Sequence, residues 1–154
     1  MVKTKSRLRL CVVLLCCNLA FIWGNSLMTA DMSRAFSTFV KDMLAWLLPA
    51  TGSDESGEGH HLLRKLAHFT EFTCLGVLLS WLIRMLRSKQ WEKLLLPLAM
   101  GALAACVDET IQIFVPGRGP GILDVGIDTL GVTVGILLIL IYESIKQKFW
   151  RKIQ

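Results

Sequence analysis

Arg64-Lys65-Leu66-Ala67-His68-Phe69-Thr70-Glu71 opens the second of four apolar stretches in the chain. After Glu71 only Phe72 to Ile83 is free of charge, a dozen residues, whereas a helix that crosses a bilayer needs about 20. Either this stretch does not span a membrane, or the charged octet lies inside the membrane with it.

Working outward, composition favours the second option. The chain has 154 residues, 53% of them apolar, and a formal charge of +5, an unusual pairing for one soluble domain. The apolar residues fall in blocks of span length. The expected fold is therefore an all-α membrane protein, a compact four-transmembrane-helix bundle occupying 1–154 as a single integral membrane domain. Its spans lie at about 8–28, 62–83, 94–115 and 122–142.

Orientation follows from the basic residues, because Lys and Arg near span ends favour the cytoplasm. Lys3, Lys5, Arg7 and Arg9 precede the first span; Arg84, Arg87, Lys89 and Lys93 separate the second from the third; Lys146, Lys148, Arg151 and Lys152 follow the fourth. Residues 29–61 hold only Arg34 and Lys41 against Asp31, Asp42, Asp54, Glu55 and Glu58. Both termini are thus expected in the cytoplasm. Basic clusters at span ends suit an anionic inner leaflet and do not form the single face that nucleic acid requires, so no nucleic-acid partner is expected.

Lys3 to Arg9 followed by the apolar Leu10 to Trp23 also has the form of a signal peptide. Met28-Thr29-Ala30 places Met where cleavage wants a small residue, so the stretch is read as a retained first helix, with Asn25 and Ser26 as polar groups at its end. From Asp31 to Leu48, Met32, Ala35, Phe36, Phe39, Val40, Met43, Leu44 and Leu47 recur at helical spacing. That pattern reads as an extracytoplasmic amphipathic helix in the interface, over about 31–48, with Trp46 at headgroup depth. Residues 50–61 read as a flexible acidic linker. Its adjacent His60 and His61 are poorly preorganised for metal, and no metal site is assigned. Cys11, Cys16, Cys17, Cys74 and Cys106 all fall within spans, which argues against a disulfide framework.

Depth brings the remaining charges together. At about 1.5 Å per residue, His68 and Glu71 lie ~9 and ~13 Å inside the second span. Gln112, Glu109 and Asp108 lie ~4 to 10 Å below the same surface, and Asp124 and Asp128 ~3 and ~9 Å below it. Arg64, His68 and Glu71 share a helix face, as do Asp108 with Gln112 and Asp124 with Asp128. Each isolated charge at membrane depth costs at least ~2.5 to 3.5 kcal/mol, so these faces should turn inward and meet. Glu109, about 100° around the helix from Asp108, is expected to face a different neighbour. The turn Pro116-Gly117-Arg118-Gly119-Pro120-Gly121 lets Arg118 reach the carboxylates. Gly131-x-x-x-Gly135, and Gly101 with Ala105, read as helix-packing signals.

Three ordered motifs carry a resemblance. They are Arg64-Lys65-x-x-His68-Phe69-x-Glu71-Phe72-x-x-Leu75-Gly76, Asp108-Glu109-x-x-Gln112-x-Phe114-x-Pro116-Gly117-Arg118, and Asp124-Val125-x-x-Asp128-Thr129-x-Gly131. Over residues 64 to 135 the chain resembles the VanZ-like family of bacterial membrane proteins; the family pattern often has Asn where this chain has Asp128. The resemblance implies a multi-pass protein of the bacterial cell membrane, associated with resistance to the glycopeptide teicoplanin or with envelope maintenance.

The residues admit three readings. In the first, an outer-leaflet polar pocket of Arg64, Lys65, His68, Glu71, Asp108, Glu109, Gln112, Arg118, Asp124 and Asp128 binds a ligand. Its partners would be membrane lipids, a lipidated glycopeptide or a lipid-linked envelope precursor. In the second, an enzyme modifies such a lipid, with His68, Glu71 and Asp108 as acid–base residues or as ligands, with Asp124, of a hard divalent cation. In the third, the charges form a structural core or serve a proton-coupled carrier. The sequence names no cofactor.

The charge asymmetry is checked by reporter fusions. Green fluorescent protein fused after Gln154 should fluoresce, and alkaline phosphatase fused after Gly52 should be active; the reverse pattern would invert the topology.

Overall fold

The computed structural model describes residues 2–29, 31–33, 35, 38–39, 57–87, 89–119 and 121–151. The long apolar runs form four helices: α1 (Val2–Ser26), α2 (Gly57–Leu86), α3 (Gln90–Ile113) and α4 (Ile122–Arg151). No strand occurs among the described residues. Within these helices Lys5–Ser26, Arg64–Leu86, Gln90–Ile113 and Ile122–Arg151 are each long and apolar enough to cross a membrane. Helix is the required state there, because hydrocarbon supplies no partner for a free peptide group. Hydroxyls obey the same rule. Thr70, Thr73, Thr110, Thr129, Thr133 and Ser144 each donate to the carbonyl four residues earlier.

The helices outrun the spans read from the sequence. α2 begins at Gly57, so residues 57–61, expected as linker, are helical, and His60 and His61 lie where its first turn passes into the second; their side chains lie outside the described residues. α3 starts at Gln90 and α4 continues to Arg151. Hydropathy marks where a helix enters the bilayer, whereas its hydrogen-bond ladder extends into the interface. At the end of α4, Lys148 and Arg151 complement the negative end of the helix dipole. Of the amphipathic helix expected over 31–48, residues 31–33, 35, 38 and 39 are helical, and the remainder lies outside the described residues.

Consecutive helices are antiparallel, which leaves α2 and α4 parallel; this is the most extensive helix pair. Its basis is the absence of side chains. A Cβ on Gly76 would overlap the Val132 carbonyl, one on Gly135 the Thr73 carbonyl, and one on Gly131 would sit 2.6 Å from the Phe69 carbonyl oxygen. The backbones therefore touch directly. Around this contact Ile22, Phe72, Leu75, Leu79, Ala104, Ala105, Val132 and Ile136 form the apolar core. Leu10, Val13, Phe21, Leu103, Leu138 and Ile141 stay exposed, which costs nothing where the solvent is lipid. α1 is the peripheral helix, with 11% of its apolar window buried against 28–33% in the others. All five cysteines are free, and buried Cys11 donates its thiol to the Leu78 carbonyl at 3.6 Å.

The end of the bundle that carries both termini is tied by Arg84. Pro97 lies inside α3 and has no N–H for the carbonyl of Lys93 one turn back. Arg84 Nη1 donates to that carbonyl at 3.4 Å and to the Ser80 carbonyl at 3.3 Å, while its Nε pairs with Glu143 of α4 at 3.0 Å. One guanidinium thus joins three helices and meets a carbonyl that proline left open.

Because the α2–α4 contact is backbone to backbone, Gly135→Ala should destabilise the protein by about 1–3 kcal/mol. Gly24, with nothing within 4 Å of its would-be Cβ, should accept Ala without loss. Thermal unfolding in detergent measures both, and equal tolerance at the two sites would sink the account.

Candidate functional site

At the opposite end, where α1 and α3 finish and α2 and α4 begin, polar side chains from every helix meet in one layer. Helical periodicity aims Arg64, Lys65, His68 and Glu71 from α2, Asp108, Glu109 and Gln112 from α3, and Asp124 and Asp128 from α4. The third-to-fourth-helix turn adds Arg118. α1 contributes Asn25 and Ser26.

The centre of the layer is Asp108, whose side chain is fully buried. Its Oδ2 accepts from Ser26 Oγ at 2.8 Å and from Gln112 Nε2 at 2.9 Å, and lies 3.9 Å from His68 Nδ1. Gln112 Nε2 also lies 3.3 Å from Ser26 Oγ and 3.3 Å from Glu109 Oε1. Glu109 belongs to the layer and also faces a different neighbour from Asp108, because its second oxygen accepts from the Gly121 backbone N–H at 2.8 Å and fastens the turn. A residue offset by about 100° from its neighbour can still face the interior where helices flank it on both sides.

Two residues read from the sequence as helix-end polar groups do more than that. Asn25 Nδ2 donates to Glu71 Oε1 at 2.7 Å, and Ser26 joins Asp108 to Gln112. Adjacent polar residues at the end of an apolar helix carry no signal of their partners. What could have found them is depth, since both lie at the level of the charged faces.

The cations divide their work. Lys65 Nζ pairs with Asp124 Oδ1 at 3.0 Å. Arg118, expected to reach carboxylates, donates instead to backbone carbonyls at the end of α1: Nε to Met28 at 3.1 Å and Nη2 to Asn25 at 2.9 Å. The Asn25 carbonyl also accepts from the Met28 N–H at 3.2 Å, and a planar guanidinium can meet both carbonyls at once. Burial is the main influence lowering the Arg118 pKa, with Arg64 acting in the same sense and Asp108 and Glu109 opposing it.

Two small cavities adjoin the layer. One, of about 20 Å³, is lined by Arg64, Lys65, His68, Glu109, Gln112, Asp124, Ile127 and Asp128. The other, of about 50 Å³, lies among Asn25, Met28, Ser33, Arg64, His68, Glu71 and Arg118. Arg64 and His68 stand between them. Several buried atoms find no hydrogen-bond partner among the described residues, notably His68 Nδ1, Glu71 Oε2, Asp108 Oδ1 and Arg118 Nη1. Such atoms are costly unless a ligand meets them. Below the layer, an apolar groove of about 200 Å³ runs between α1 and α3 over a floor of Leu75 and Leu79.

The cross-helix bonds make a stability prediction. Ser26→Ala, which removes the hydroxyl shared by Asp108 and Gln112, should cost about 1–3 kcal/mol. Cys16→Ala, at an exposed position on the same helix, should stay within about 0.5 kcal/mol of the parent. Unfolding midpoints that do not separate the two would remove Ser26 from the layer.

The VanZ/LLP1 family model matches residues 11–143, which take in α2 and α3 whole, most of α1 and α4, and every residue of the polar layer. No curated protein and no solved structure matches the chain. With that match and four helices able to span a bilayer, the chain is a multi-pass membrane protein that belongs to the VanZ/LLP1 family.

Proposed function

We propose that the polar layer binds the headgroup of an anionic lipid, or of a lipidated envelope ligand, from the outer leaflet of the bacterial cell membrane, with both termini on the cytoplasmic side. The observation that carries this reading is continuity between polar and apolar space. The groove is lined by Leu15, Leu19, Trp23, Met100, Leu103 and Val107. Trp23 lies one helical turn before Ser26, and Val107 directly precedes Asp108. A ligand with a charged head and a hydrocarbon tail matches that succession.

The head would meet a mixed surface. Arg64 and the unpartnered Arg118 Nη1 suit phosphate or carboxylate oxygens, for which guanidinium is the better donor. The free Oε2 of Glu71 suits an amine or hydroxyl. Lys65 is already paired with Asp124 and serves the wall. An acylated glycopeptide such as teicoplanin has this two-part chemistry, and so do lipid-linked envelope precursors and ordinary phospholipids.

Binding rests on the continuity of groove and layer, whereas turnover needs a closer acid–base pair. An acid–base pair works within hydrogen-bond reach, about 2.6–3.2 Å, and His68 Nδ1 is 3.9 Å from Asp108 Oδ2. The enzyme reading would need the pair to close on substrate.

Native mass spectrometry of protein extracted in mild detergent tests the proposal. The parent should retain a phospholipid, and Arg64→Gln and Glu71→Gln should each lower its occupancy while leaving the fold intact. In cells, any teicoplanin tolerance conferred by expression should fall in the same order. A parent that retains no lipid, and that phosphatidylglycerol stabilises no more than phosphatidylcholine does, would overturn the headgroup site.

A further inference from the structure

We infer that His68, Asp108 and Asp128 form a binding site for one first-row divalent cation, of the Mn²⁺ to Zn²⁺ series. Each offers one donor atom, and the three atoms lie within 4.8 Å of one another. They come from three helices, so the cluster is a product of the tertiary fold and no sequence spacing announces it. Bonds of about 2.0–2.2 Å to nitrogen and oxygen place donors roughly 3–4 Å apart, so closure on an ion needs shifts of about an ångström. One imidazole with two carboxylates is a borderline donor set, better matched to Zn²⁺ or Mn²⁺ than to Ca²⁺, which takes six to eight oxygens.

Three independent observations point to a ligand. First, Asp108 is fully buried, and its Oδ1 has no hydrogen-bond partner although Oδ2 has two. Asp128, 2% exposed, makes no hydrogen bond or ion pair with any described residue. Second, His68 and Asp128 both line the 20 Å³ cavity, which has room for about one water-sized sphere. Third, charge does not balance. Among the described residues of the layer, Glu71, Asp108, Glu109, Asp124 and Asp128 face Arg64, Lys65 and Arg118, a formal deficit of two that one divalent ion cancels.

Asp124 stands outside the set because Lys65 holds it at 3.0 Å. Ser26 and Gln112 orient Asp108 from behind through Oδ2, the part that outer partners play at metal sites. The inference goes beyond the headgroup reading and stands without it, since the three donors need no lipid.

The test uses untagged, full-length protein carrying His60→Gln and His61→Gln, so that this adjacent pair cannot chelate. Protein stripped with EDTA is dialysed against Mn²⁺ or Zn²⁺ in lipid-free detergent, and bound metal is counted by mass spectrometry. About one ion per chain is expected, with a rise in the unfolding midpoint that EDTA reverses. Asp108→Asn and Asp128→Asn should each weaken binding more than ~10-fold, by extension from the 10–100-fold cost of losing an outer partner. Asp124→Asn should leave the stoichiometry unchanged. Should a variant fail to fold, the EDTA-reversible shift in the His60→Gln/His61→Gln protein decides alone. No bound ion and no shift, or an Asp128→Asn protein that binds the metal no more weakly than the Asp124→Asn protein, would overturn the site. Lipid retention is measured separately, so metal without lipid and lipid without metal are distinct outcomes.

Discussion

Direct contact between the backbones of α2 and α4 is the constraint on which the rest of the bundle depends. In lipid, apolar side chains gain little by leaving their solvent, and helices associate through close van der Waals fit. Gly76, Gly131 and Gly135 supply that fit by having nothing to hold the helices apart. Once the two helices lie parallel and in contact, the first turns of α4 lie beside the third and fourth turns of α2. Lys65 then meets Asp124, and His68 comes close to Asp128. Glycines midway along the helices thus position charges one to three turns away.

The polar layer works against stability as well as for it. A buried ionised group is tolerated only when its partners replace water. The layer does this in part: Asp108 through Ser26 and Gln112, Glu109 through Gly121, Asp124 through Lys65. Complete satisfaction would give a rigid, closed core. Instead His68, Glu71, Asp108 and Arg118 each keep an unpartnered atom, and the layer borders two cavities. Polar groups retained at this cost in a small membrane protein mark function by default.

α1 has an unequal share in this design. It is the least buried helix, yet it delivers Asn25 and Ser26 to the layer and gives its end carbonyls to Arg118. Its apolar side forms one wall of the groove. A peripheral helix with few packing contacts opens at lower cost than a core helix. Movement at the α1–α3 seam would leave the α2–α4 contact intact.

Class and architecture were legible in the sequence, since span length, block hydropathy and the periodicity of charged faces are local properties fixed by bilayer thickness and helix geometry. Arg64, His68 and Glu71 had to lie inside the membrane, and Asp108, Asp124 and Asp128 had to lie at matching depth. Pairings were beyond its reach. Depth and face say that two groups share a layer, but contact needs the rotation and separation of helices, which arise from packing. So only the tertiary structure gave Asp124 to Lys65, turned Arg118 from carboxylates to the carbonyls of α1, recruited Asn25 and Ser26, and gathered His68, Asp108 and Asp128. The sequence by itself determined which residues must leave the lipid; the fold decided which of them meet, because helix-to-helix geometry is set by the packing of glycines and core side chains and not by the charges themselves.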